Sequence, residues 1–115
     1  MIWLKELYWS EKAREKGKSL VRAAEGGRKS KFDSWWLITL SQYPDGQLDL
    51  FPISDLKCSF FKPAEMVVLG LAASKAEAFG LLEQMADDCL RAGCGPALKA
   101  YFAGKAVTDW RGVSV

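Results

Sequence analysis

Between Met66 and Ala73, eight residues in succession carry no polar side chain, the longest such run in the 115-residue chain. The run falls well short of the roughly 20 residues an apolar helix needs to cross a bilayer, so no membrane span is expected. In extended backbone, neighbouring side chains point to opposite faces. Apolar residues at nearly every position of 65–72 therefore predict a strand buried on both sides. The rest of the chain, or a second copy, must supply a layer for each face.

The remaining segments offer material for those layers. Ser10 to about Glu25 has good helix formers and no proline, with apolar Ala13, Leu20, Val21 and Ala24. Ser10 is placed to cap its start and Glu11 to favour its positive end, while Gly17 lies inside it at a cost of up to about 1 kcal/mol relative to alanine. Gly26 and Gly27 end this helix. Trp35 to Gln42, rich in aromatic and β-branched residues, reads as a strand. Pro44-Asp45-Gly46 then forms a turn, proline presetting one dihedral and glycine tolerating a positive one, and Gln47 to Phe51 returns as the second arm of a hairpin. Pro52 suits an edge strand or a strand end, and Leu56 to Phe61 reads as a third strand. Of the adjacent Trp35 and Trp36, one is expected to enter the core and the other to need a second cover.

Ser74-Lys75-Ala76-Glu77 fits a capping box and predicts a helix to about Ala92. Its apolar face is expected to carry Phe79, Leu82, Ala86, Cys89 and Leu90, and its solvated face Gln84, Asp87, Asp88 and Arg91. Gly93, Gly95 and Pro96 stop it, and residues 97–103 read as a short second helix. The predicted class is α+β: an N-terminal helix, a mainly antiparallel sheet of about four strands, then one long and one short C-terminal helix. One domain is expected over residues 1–103, with 104–115 a partly disordered tail. A single core suits this length, and 50% apolar with 26% charged residues is the balance of a globular protein.

The chain has no histidine. That removes the commonest general base at neutral pH, histidine-based serine and cysteine triads, and most catalytic zinc sites. Cys58, Cys89 and Cys94 form an odd set with no Cys-x-x-Cys pair, so neither a disulfide framework nor a structural zinc site is expected, and no cofactor is implied. Cys89 reads as a packing residue, and Cys94 lies past a helix C-terminus, whose negative dipole end repels anions. Gly17-Lys18-Ser19 matches only the end of a phosphate-binding loop: Lys12 stands where the first glycine belongs, and the match falls within a helix. No catalytic residue is assigned.

Charge is unevenly placed. Residues 1–31 hold nine lysines and arginines against four glutamates, whereas the rest holds seven against ten acids. Arg28, Lys29 and Lys31, just before two tryptophans, are the candidate nucleic-acid-binding residues, combining phosphate attraction with a stacking platform. A net charge of only +2 weighs against that reading. The start Met-Ile-Trp-Leu-Lys-Glu lacks the features of an export signal, making the cytoplasm the expected location.

Trp36-Leu37-Ile38-Thr39-Leu40, Val67-Val68-Leu69-Gly70-Leu71-Ala72, Glu77-Ala78 after the capping serine and Ala100-Tyr101-Phe102 succeed one another in an order that resembles small uncharacterised bacterial domains, over residues 34–103. These are core motifs, and the resemblance implies a freestanding bacterial domain without implying an activity. Three functions follow in order of expectation: a non-enzymatic interaction domain that self-associates as a homodimer; a nucleic-acid-associated regulator using the basic segment; and an enzyme whose site is assembled only in three dimensions.

Overall fold

A computed structural model describes residues 2–26, 31–57, 66–95, 97–103 and 106–107. The fold is α+β. Strands β1 (Ile2–Trp9), β2 (Trp36–Leu40), β3 (Leu48–Pro52), β4 (Val67–Ala72) and β5 (Ala106–Val107) form one sheet in the order β3-β2-β4-β1-β5. Helices α1 (Glu11–Gly26), α2 (Lys75–Arg91) and α3 (Leu98–Ala103) complete it. Three of the four strand pairings are antiparallel; β1 runs parallel to β4.

The central strand is the apolar run. Val68, Leu69, Leu71 and Ala72 are wholly buried, and α1 and α2 both contact β4. A Cβ on Gly70 would lie 3.1 Å from the terminal methyl of Met85, so this position turns towards α2. The next, Leu71, turns the other way and is equally buried, which leaves α1 as its cover. Both layers come from the chain itself.

The first element is a strand, ahead of the helix that the sequence placed first. Lys5 and Glu6 interrupt its apolar pattern, yet Trp3, Leu4 and Leu7 are buried between β4 and β5. Ser10 joins three elements: its amide donates to the Leu71 carbonyl at 3.0 Å, and its Oγ accepts from the amides of Ala13 and Ala73, each at 3.2 Å. The expected cap of α1 is thus also a clasp between the ends of the two parallel strands. Ala13, Leu20, Val21 and Ala24 are all buried, as their spacing predicts. At Gly17 the backbone leaves the helical region, with φ 31° and ψ −107°, so α1 is two helical pieces joined at a glycine.

The hairpin forms as read, with Trp36 opposite Pro52 and Leu40 opposite Leu48, and Pro52 sits on an edge strand where its missing amide costs nothing. Gly46 serves space rather than a positive φ: a Cβ there would collide with the Ser41 side chain. The strand expected from Leu56 is not extended at its start. Ile53 N–H donates to the Trp35 carbonyl (2.7 Å) and Ser54 N–H to that of Asp33 (3.0 Å), curling Ile53–Lys57 into a 3-10 turn; residues 58–61 lie outside those described. Neither Trp35 nor Trp36 enters the core fully. Leu37 and Ile38 take that place, while Trp35 stands edge-on to Phe32 with ring centroids 5.1 Å apart.

Candidate functional site

α2 has the expected capping box: Ser74 Oγ accepts from the Glu77 amide at 3.2 Å, and the helix runs without interruption to the Ala92 cap. Its buried face differs from the one the sequence suggested. The buried residues are Ala78, Leu81, Met85 and Cys89. Phe79 is 50% exposed and Leu90 64% exposed, although both were expected to pack on the sheet. The reason is phase. At 100° per residue, 78, 81, 85 and 89 form one stripe, and 79, 82, 86 and 90 form a second, about 100° round the helix. Only one stripe faces the sheet. Within the second stripe, Leu82 and Ala86 are half-buried.

The outer stripe is about 16 Å long, from the 1.5 Å rise per residue. Beside its N-terminal end, the Lys75 ammonium lies 5.6 Å from the Trp36 ring centroid and 6.0 Å from that of Phe79, joining the stripe to the half-buried tryptophan at the start of β2. Along its outer flank stand exposed Glu83, Asp87 and Arg91, with Asp87 and Arg91 paired at 3.0 Å. An apolar line with a polar rim is the layout of a protein contact surface.

Of the candidate nucleic-acid residues, Arg28 and Lys29 lie outside the described residues. Lys31 is exposed, with its ammonium 5.3 Å above the Phe32 ring. Both neighbouring tryptophans are engaged with the protein: Trp35 in a T-shaped contact with Phe32, and Trp36 with its face beneath Lys75.

Asp88 departs from its expected solvated role. It is only partly exposed and accepts a hydrogen bond from the Tyr8 hydroxyl, while Tyr8 also meets Phe102 edge-on at 5.7 Å. Burial, then the bond to Asp88, then the nearby negative charge hold the Tyr8 proton far above the ordinary tyrosine range. A phenol held so firmly protonated is a poor base and a poor acid, so the pair serves as a strut between β1 and α2. Sequence spacing could not reveal it, because its partners lie 80 residues apart.

The starts of α1 and α2 open side by side at the carboxyl ends of parallel β1 and β4, a position where open α/β sheets bind ligands. Here one first-turn amide of each helix is taken by a capping serine, Ala13 by Ser10 and Glu77 by Ser74. Among the described residues, every buried side-chain nitrogen and oxygen has a hydrogen-bond partner, and no three cysteines, aspartates or glutamates converge as metal ligands. Set against known proteins, the chain matches no family model, and no curated protein or solved structure is significantly similar to it.

Proposed function

We propose that this chain is a non-enzymatic interaction domain that self-associates through the outer stripe of α2. The observation that carries the reading is the exposure of Phe79 and Leu90 at the two ends of one helix face, with small Ala86 between them. Two copies related by a two-fold axis, with their α2 helices antiparallel, set each Phe79 against the other copy's Leu90. That is the self-complementarity an isologous interface requires. β4, by contrast, needs no partner, since α1 and α2 already cover it.

A single helix stripe buries less than the roughly 800 Å² per partner of a standard interface, so the dimer should be concentration-dependent. Sedimentation equilibrium over a wide concentration range tests this. The mass is expected to rise from one chain to two, and Phe79→Glu or Leu90→Glu to hold it at one while circular dichroism stays unchanged. A wild-type mass fixed at one chain throughout would remove the reading.

A second reading rests on the outward face of α1, where Lys12, Arg14, Lys16, Lys18 and Arg22 are exposed, as is Lys31. With Arg28 and Lys29 they would form an electrostatic contact to nucleic acid. Glu11 and Glu15 interleave on the same helix and weaken the field. Retention of DNA or RNA at low ionic strength that fades steeply with added salt would favour this reading over the first.

A further inference from the structure

α2 ends in a turn built around two cysteines. The Cys94 amide donates to the Cys89 carbonyl at 3.0 Å, five residues back, in the wrap that closes many helices at their C-terminus. Gly93 at φ 82° and Gly95 at φ 58°, both in the left-handed region, bend the chain on either side of Cys94 and return it over the last helical turn. With standard bond lengths, the backbone hydrogen bond keeps the two Cα atoms within roughly 7 Å, close to the 4.4–6.8 Å that a disulfide spans. The side chains also lie close enough for Cys94 to act on the Cys89 thiol, and both thiols are free.

The two differ in access. Cys89 is wholly buried, and burial first, then its contact with Cys94, pushes its thiol up from the ordinary value, leaving it protonated and inert to reagents in solution. Cys94 is partly exposed. One thiol is thus open to an incoming partner, and a second waits behind it within reach.

We propose that Cys89 and Cys94 form a thiol–disulfide exchange site for small disulfides of the glutathione class, with Cys94 attacking and Cys89 resolving. In the first step the Cys94 thiolate forms a bond to one sulfur of the small disulfide. The disulfide's own bond breaks, and the departing thiolate takes up the proton that Cys94 lost. In the second, Cys89 bonds to the Cys94 sulfur and expels the second small thiolate, which takes up the proton that Cys89 loses. Two protein thiols have become one disulfide, losing two electrons, and the small disulfide has been reduced to two thiols. The first step accelerates with rising pH, because the thiolate is the attacking form. The backbone needs little movement, since the Cys89–Cys94 hydrogen bond already holds the turn.

Arg91 lies between the two cysteines, so trypsin separates them into different peptides. The native chain is incubated with excess glutathione disulfide, its remaining thiols are blocked, and the digest is analysed by mass spectrometry. The expected product is the 76–91 peptide joined to the 92–99 peptide and released by reductant. Cys89→Ser should instead accumulate a stable glutathione adduct on Cys94, and Cys94→Ser should leave Cys89 unmodified. If a variant does not fold, the wild-type digest alone decides. A lasting adduct on wild-type Cys94, bridges only through Cys58, or no reaction at either residue would each overturn the proposal. None of these results depends on whether two copies associate through α2.

Discussion

α1 and α2 are nearly equal in length, 16 and 17 residues, and reach stability by opposite routes. α1 is interrupted at Gly17 and has a sparse apolar set, with Ala13, Leu20, Val21 and Ala24 buried and Ala23 packed partly buried against the core. Docking holds it. α2 is continuous and well capped, and has more apolar surface than the sheet covers. The difference teaches where a free surface is found: a helix with just enough apolar residues spends all of them on its own core, whereas one with a surplus has some left for a partner.

The largest expected effect separates the two stripes of α2. Met85→Ala should cost about 2–5 kcal/mol in chemical denaturation, because it opens a cavity against the sheet. Leu90→Ala should change monomer stability by no more than about 0.5 kcal/mol while weakening association. Equal losses would erase the distinction between the stripes.

Next comes the seat of α2 on the sheet. A Cβ at Gly70 would lie 3.1 Å from both the Met85 methyl and the Tyr8 carbonyl oxygen. Gly70→Ala should therefore cost about 1–3 kcal/mol by overpacking, read as a lowered unfolding midpoint. An unchanged midpoint would mean that α2 rides further from β4.

The strut beneath α2 gives a pH signature. Folding raises the affinity of Tyr8 for its proton. Its contribution is therefore fully present below the ordinary tyrosine value of about 10 and is lost as pH climbs from there towards the higher folded-state value. Tyr8→Phe should cost about 1–2 kcal/mol at neutral pH. Denaturation across the alkaline range should then show a shallower decline in the variant than in the wild type.

The smallest effect has opposite signs in the two helices. A Cβ added at Gly17 or at Gly80 would have no neighbour within 4 Å, so space does not distinguish alanine at the two sites. Gly80 lies in regular helix, and Gly80→Ala should stabilise by up to about 1 kcal/mol. Gly17 has a positive φ that alanine resists, and Gly17→Ala should destabilise by about 1 kcal/mol. Stabilisation at both sites would show that α1 straightens without penalty.

Much of this architecture was legible from local signals. The apolar run at 66–73 announced a doubly covered strand, Ser74 through Glu77 announced the start of α2, and the spacing of Ala13, Leu20, Val21 and Ala24 identified the buried side of α1. What escaped depends on distant pairing. β1 carries charges at Lys5 and Glu6 and becomes a strand because β4 and β5 receive it. The candidate surface was half legible: spacing put Phe79 and Leu90 on one apolar side of α2, but which stripe the sheet takes is fixed by where Met85 meets Gly70. Likewise, Asp87 and Asp88 are adjacent in sequence, yet one pairs with exposed Arg91 and the other with Tyr8.

The parallel partnership of β1 and β4 also shapes the order of assembly during translation. Ile2 must find Val67, and Trp9 must find Leu71, across a stretch containing α1 and the β2–β3 hairpin. The hairpin pairs neighbours in sequence, but β1, carrying Trp3, Leu4 and Leu7, has no β4 to pair with until the chain as far as residue 72 has been made. For that interval its apolar residues lack the cover that β4 gives them, so slower synthesis of the intervening chain would lengthen the exposure of β1.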